Sequence, residues 1–384
     1  MLRRISEMWP TRRIISLVST LSFIAIVFMV NLGFLKWSSR NVREVCIEGG
    51  YTMNEERSAD LLSGFMSNDD YNASTSTGIN IMVHARMRTG SSLMADCLNV
   101  NPEVFYVYEP GFILNRFRRD IWDDSWMFLE DMRVELTQFI DGVYSCNFTG
   151  NEYFINSMNE VSWMRQLTRT EFLTKVNERG ITNVCKYRKH KLIKNVRLNN
   201  LIMAAPVLKE HNVKVIQMVR DPRGMSSSRT RLQIYAKRKK NVDRDAELEK
   251  IDDIVKNYCV WLETNYLSVK YGPDWLKRNY RLVRFEDLVS NPSQVVEELY
   301  EFVGLAMTDT VKQKIREMSK KKSQSPESWR YKTGPEIIKR AQDVCPERIF
   351  RMFGYRLITK GTQLTDKDFS TITSLPENTE SSWN

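Results

Sequence analysis

Histidine is scarce in this sequence: His84, His190 and His211 are the three in 384 residues. Histidine is the commonest general base, so proton transfer here has few imidazole candidates. The six cysteines, Cys46, Cys97, Cys146, Cys185, Cys259 and Cys345, contain no C-x-x-C pair. That spacing argues against a zinc site, which draws its ligands in close pairs. The nucleotide loop G-x-x-x-x-G-K-[ST] is also missing, which disfavours a conventional ATPase or kinase. There is no internal repeat.

What is present is basic charge. The net charge is +10, with 42% hydrophobic and 27% charged residues, a globular composition whose surface attracts anions such as nucleic acid, acidic lipid, acidic polysaccharide or a phosphorylated cofactor. Residues 14–35, from Ile14 to Leu35, carry no charge and are long enough to cross a bilayer. Arg3, Arg4, Arg12 and Arg13 precede this stretch, a bias towards a cytoplasmic N-terminus. The expected reading is an uncleaved signal-anchor, ahead of a cleaved signal peptide or a buried core helix. Residues 1–13 are then a cytoplasmic tail and 36–77 a polar lumenal stem. Asn72-Ala73-Ser74 and Asn147-Phe148-Thr149 fit the glycosylation acceptor pattern, making Asn72 and Asn147 candidates on the lumenal side. All six cysteines follow the anchor, where disulfides persist; the pairing is open, and Cys97 also fits a small buried apolar residue.

From residue 78 to about 357 the pattern is that of an α/β domain. Short apolar runs, INIMVHA, VFYVY, KLIKNV, VKVIQMV and YRLVRF, alternate with longer helical stretches, as in a central, largely parallel sheet with flanking helices. Helices are expected from Ser91 or Ser92 with a hydroxyl cap, over LEKIDDIVKNYCVWLETNYLSV, from Pro292, and from Pro335 with an interruption at Pro346. Residues 358–384 read as a flexible tail. Each apolar run breaks at its C-terminal end into polar residues: Arg88, Glu109, Arg197, Arg220-Asp221 and Glu286-Asp287. Ligands of open α/β sheets sit at such ends.

Two of these ends are suited to anions. Arg88-Thr89-Gly90-Ser91-Ser92 places a guanidinium, a glycine and hydroxyls between a strand and a helix, where helix N–H groups and close backbone approach hold a phosphate or sulfate. A serine-capped helix after an ordinary turn is the plain alternative. Arg220-Asp221-Pro222-Arg223, followed by Ser226, Ser227, Ser228 and Arg229, forms a second such end. Together they suggest a ligand with two charged groups.

At this point the chain resembles the Golgi carbohydrate sulfotransferases, in particular the branch acting on the 6-hydroxyl of galactose, N-acetylgalactosamine or N-acetylglucosamine. RTGSSL is similar to that family's R-[ST]-G-S-S-F, FYVYEP to its F-Y-x-x-E-P, and VRDPRGMSSSR to its V-R-D-P-R-A-x-x-S-S-R. LVRFEDLVSNPSQVVEELYEFVGL, Ser328-Trp329-Arg330 and Gly354-Tyr355 follow in order. Thr89, Leu93 and Gly224 depart from the pattern's serine, phenylalanine and alanine.

The resemblance implies a P-loop-like sulfotransferase fold and 3′-phosphoadenosine 5′-phosphosulfate (PAPS) as donor, with no metal required and no nucleic-acid partner. It assigns Arg88, Thr89, Gly90, Ser91 and Ser92 to the 5′-phosphosulfate, and Arg220 and Ser228 to the 3′-phosphate. Arg88 doubles as a catalytic cation. Glu109, taken to end the strand adjoining the anion loop, becomes the catalytic base, the plain alternative being a salt-bridge partner; His84 is the runner-up, although a hydrogen-bonded core role suits it better. Trp329 and Arg330 are candidates to cover adenine or sugar, against simple packing. The acceptor is expected to be a glycan or glycosaminoglycan, and the protein a single-pass type II Golgi membrane enzyme with its catalytic domain in the lumen, homodimerisation being left open. A catalytically silent glycan-binding relative and a nucleotide phosphotransferase are the competing classes. The basic runs at Lys237-Arg238-Lys239-Lys240 and Lys320-Lys321-Lys322 read as solvated surface or as guides for an anionic glycan.

Overall fold

Each of the five apolar runs forms a strand: β1 (Asn80–His84), β2 (Val104–Tyr108), β3 (His190–Asn195), β4 (Lys214–Val219) and β5 (Tyr280–Arg284). The structure is a computed structural model that describes residues 78–118, 130–237, 244–320 and 325–376. The expected anchor, the stem, Cys46 and Asn72 lie outside the described residues, as does most of each basic run. Among the described residues no helix is long and apolar enough to cross a membrane.

The strands form one sheet in the order β2-β3-β1-β4-β5, and every neighbouring pair is parallel. Parallel strands carry helices on both faces, so both sets of alternating side chains are buried. Met82, Phe105, Ile193 and Val215 enter one apolar core. Their neighbours Ile81, Val83, Tyr106, Leu192 and Ile216 enter the opposite one. A third cluster, with Val219, Tyr258, Trp261 and Phe350, packs the helices beyond β4.

Seven helices matter below: α1 (Ser91–Asn99), α2 (Ser162–Thr168), α3 (Pro222–Lys237), α4 (Arg244–Lys270), α5 (Pro292–Val303), α6 (Pro335–Val344) and α7 (Glu347–Met352). Pro292 occupies the first turn of α5, and Gly304 ends it at φ 77°, the left-handed closure that glycine tolerates. Pro346 separates α6 from α7, as its ring and missing N–H require. Disulfides join Cys146 to Cys185 and Cys259 to Cys345, while Cys97 is free and buried on α1.

Two expectations need correction. Glu109 follows β2, which does not adjoin β1; β3 lies between them. Hydrophobic patterning fixes which segments are strands but not the order in which they pair. The segment after Ile358 is not a free tail as far as residue 376. Tyr355 bridges Ile372, Arg330 donates to the carbonyls of Gln363, Asp366 and Phe369, and Glu327 accepts from both the N–H and the hydroxyl of Thr371 (2.6 Å each). Polar composition conceals this order because backbone groups supply it.

Candidate active site

The loops after β1 and β4 meet at the C-terminal edge of the sheet, where adjacent strands lead to crossovers on opposite sides and open a crevice. Arg88 has φ 73° and Gly90 φ 94°, so the chain turns sharply into α1. Gly90 is the residue before the first helical turn, and among the described residues no side chain caps that turn. The expected hydroxyl cap is therefore absent, and the first N–H groups of α1 are left for an anion. Only glycine fits here: a Cβ would lie 2.4 Å from Cδ2 of Phe285.

Thr89 is fully buried, and both its N–H and its hydroxyl are directed to the carbonyl of Arg86 (3.4 and 2.8 Å). It closes the loop and does not offer its hydroxyl to a ligand, a correction to its expected role. Ser91 is buried at the helix start and Ser92 exposed.

Arg220 links the loops. Its Nη1 donates to the carbonyl of Arg88 (3.0 Å), and its guanidinium lies 4.2 Å from the Phe285 ring centroid. Arg88 in turn donates through Nε to the Ser228 hydroxyl (2.9 Å). The two constellations are therefore contiguous and not two separate pockets. The Tyr258 hydroxyl holds the Arg220 backbone twice, accepting from its N–H and donating to its carbonyl (both 2.9 Å). Glu286 accepts from the Asp221 N–H (3.1 Å) and the Tyr355 hydroxyl (2.9 Å). Burial pushes the Glu286 carboxyl up to about 7, although the nearby Arg220 charge opposes the shift.

Arg220 Nε and Trp329 Nε1 are buried with no partner among the described residues, and a Cβ on Gly224 would lie 3.1 and 3.3 Å from them. Buried donors left unpaired are costly, so this pair of N–H groups suits an acceptor-rich ligand. The Trp329 ring itself is fully buried, 4.9 Å from the Arg223 guanidinium. It presents no free face for adenine. Arg330 is also buried, its guanidinium occupied by three carbonyls of the C-terminal segment and by Glu327. The expected stacking cover by Trp329 and Arg330 is thus replaced by a wedge and a clamp.

Glu109 follows β2 at φ 41° and is buried. It pairs with Lys194 of β3 and with Nη1 of Arg197 (2.7 Å). Burial alone would raise its carboxyl, but the charges and hydrogen bonds of Lys194 and Arg197 outweigh burial and hold it below the usual carboxylate range. Arg197 Nη2 also reaches the Met87 sulfur (3.6 Å), connecting the carboxylate to the anion loop. His84 lies in β1, fully buried, with its Nε2 3.0 Å from the Asn265 Oδ1. That oxygen also accepts the Leu201 N–H. Burial lowers the His84 imidazole to about 3, so it is a neutral core group, as its place within a strand implies.

Lys194 and Arg197 were not legible as partners of Glu109. The available signal was a lysine inside an apolar run, three residues before its polar end at Arg197. Phe285, under Arg220, carries no sequence signal beyond the strand's hydrophobicity.

Comparison with known proteins agrees with this geometry. Residues 80–344 match the family described as "Sulfotransferase domain". Human carbohydrate sulfotransferase 3 is 26% identical over 341 residues, covering 76% of this chain and 70% of its own length. Rat carbohydrate sulfotransferase 1 is 25% identical over 364 residues (79% and 85%), and mouse carbohydrate sulfotransferase 5 is 23% identical over 355 (79% and 87%). The chain belongs to the sulfotransferase domain family, and its resemblance to the carbohydrate sulfotransferases is borne out by these relatives. It is an enzyme, a sulfotransferase.

Proposed function

We propose that the protein transfers the sulfuryl group of PAPS to a sugar, at the 6-hydroxyl of galactose, N-acetylgalactosamine or N-acetylglucosamine in a glycan or glycosaminoglycan. The observation that carries this reading is the uncapped start of α1 at Gly90, set beside the unpartnered Nε of Arg220. The start of α1, with Arg88, Ser91 and Ser92, holds the 5′-phosphosulfate. Arg220 and Ser228 hold the 3′-phosphate, with the Trp329 N–H beside them. The relatives' names support a carbohydrate acceptor; the choice of the 6-hydroxyl rests on the motif resemblance.

In the reaction the acceptor oxygen bonds to sulfur as the bond from sulfur to the phosphate oxygen breaks, and adenosine 3′,5′-bisphosphate leaves. Such transfer depends on alignment and on stabilising charge at the leaving oxygen. Arg88 and the α1 N–H groups supply that charge. Glu109 accepts the hydroxyl proton. Its pairing with Lys194 and Arg197 keeps it ionised, and hence able to accept, while making it a weaker base.

The reading also places the enzyme in the Golgi membrane as a single-pass type II protein, its anchor at residues 14–35 and its catalytic domain in the lumen. Asn147 is exposed and suits glycosylation there, together with Asn72. The test is incubation of the protein with radiolabelled PAPS and a panel of glycans, with linkage analysis of the product. Wild type should label a sugar 6-hydroxyl, and Arg88→Ala and Glu109→Gln should lose transfer. Labelling of no glycan by a protein that binds the donor refutes the proposal.

A further inference from the structure

We infer that Trp163, held edge to face by Tyr108, forms a stacking platform for the acceptor, a subsite for a pyranose ring that offers an apolar face of C–H groups. The inference rests on the sugar-acceptor reading above and identifies where that sugar lies.

Tyr108 is the last residue of β2 and immediately precedes Glu109, which places it at the C-terminal edge of the sheet. Its phenol faces Glu109 and Ser92 of α1, so one side chain adjoins both the candidate base and the anion loop. Lys194 Nζ lies 4.1 Å from the Tyr108 ring centroid, and this cation helps to fix the ring. Helix α2 packs on β2, bringing the Trp163 ring centroid to 5.1 Å from that of Tyr108, edge to face at 83°. Trp163 is nevertheless 40% exposed.

A single exposed aromatic needs no explanation. Position distinguishes this one. Tyr187 and Tyr271 are also exposed, but Tyr187 shortly precedes β3, towards the opposite, N-terminal edge, and Tyr271 follows the end of α4. Trp163 presents its indole beside the residues assigned to sulfuryl transfer. The face of an aromatic ring is electron-rich, so it attracts the weakly positive axial C–H groups of a pyranose while the sugar hydroxyls remain in water. A sugar seated on Trp163, with Tyr108 beside it, projects an exocyclic hydroxyl towards Glu109.

The experiment is steady-state kinetics with radiolabelled PAPS and the glycan that wild type sulfates best, using Trp163→Ala, Trp163→Phe and the surface control Tyr271→Ala. Affinity for adenosine 3′,5′-bisphosphate is measured on each. Trp163→Ala should raise the acceptor KM about ten-fold, the scale of a lost stacking contact. Trp163→Phe should recover most of that loss, and Tyr271→Ala should match wild type. Donor KM and bisphosphate affinity should stay within about two-fold throughout, which also shows that the variants fold. An unchanged acceptor KM in Trp163→Ala, or a loss confined to the donor, overturns the platform and leaves sulfuryl transfer intact. A wild type that binds the bisphosphate yet labels no sugar overturns the sugar reading, and the platform with it.

Discussion

Replacing Gly90 with alanine tests whether the anion loop and Arg220 form one device. Gly90 sits at φ 94°, and the new Cβ would be 2.4 Å from Phe285 Cδ2, 3.2 Å from Cε2 and 3.4 Å from Cγ. Holding an L-residue in the left-handed region costs about 1–2 kcal/mol, and overpacking the ring adds about 1–3 kcal/mol. The fold should therefore lose about 2–5 kcal/mol, before relaxation. Because the Phe285 ring also lies under the Arg220 guanidinium, its displacement removes a cation–π contact of about 0.5–2 kcal/mol. At about 1.4 kcal/mol per ten-fold, donor affinity should fall by a further factor of roughly 2 to 30. Thermal unfolding measures the first loss, and calorimetric titration of the still-folded protein with adenosine 3′,5′-bisphosphate measures the second. A variant that unfolds earlier but binds the bisphosphate as tightly as wild type refutes the coupling of Gly90 to Arg220 through Phe285. One with unchanged stability refutes the close contact itself.

Other predictions concern ionisation and the C-terminal segment. Glu109 is held ionised by Lys194 and Arg197, so activity that needs its carboxylate is lost only as pH falls through a lowered pKa. Lys194→Met should move the acid limb of the kcat/KM profile to higher pH, and an unmoved limb removes Glu109 from the proton transfer. The Glu286 carboxyl, raised from its ordinary value of 4.5 to about 7 by burial, binds more protons folded than unfolded between those values. Its contribution to stability is therefore full below pH 4.5 and lost as pH rises through 7. Glu286→Gln should flatten the fall in Tm across that window; an identical slope contradicts the assignment. Truncation after Ile358 removes carbonyl partners from the buried Arg330 and should destabilise by at least about 1.5–3 kcal/mol, the scale of one charged hydrogen bond. An unchanged Tm would show that the clamp is dispensable.

The strands were legible because two-sided burial writes parallel strands as nearly continuous apolar runs, and Pro292, Pro335 and Pro346 marked helix limits through their fixed geometry. The anion loop was legible through Gly90, whose tight turn no larger residue could make against Phe285. Strand order was not, because β3 reaches its place between β1 and β2 through contacts far apart in sequence. For the same reason the partners of Glu109 were hidden: Lys194 looks like an interruption in an apolar run until β3 is set beside β2. Arg330 and the segment up to residue 376 were hidden in a different way. Their order comes from side chains gripping backbone carbonyls, and any polar sequence possesses those. His84 shows the reverse case, since its position within a strand already implied the buried, neutral imidazole that the structure contains.

The proposed function requires this crevice to bind a nucleotide through anions at both its 5′ and 3′ positions. Calorimetric titration with adenosine 3′,5′-bisphosphate and with adenosine 5′-phosphate measures it directly, on wild type and on Arg220→Ala combined with Ser228→Ala. Wild type should prefer the bisphosphate by at least about ten-fold, and the double variant should lose this preference. Equal affinity of wild type for the two nucleotides, or a preference that survives both truncations, would contradict it.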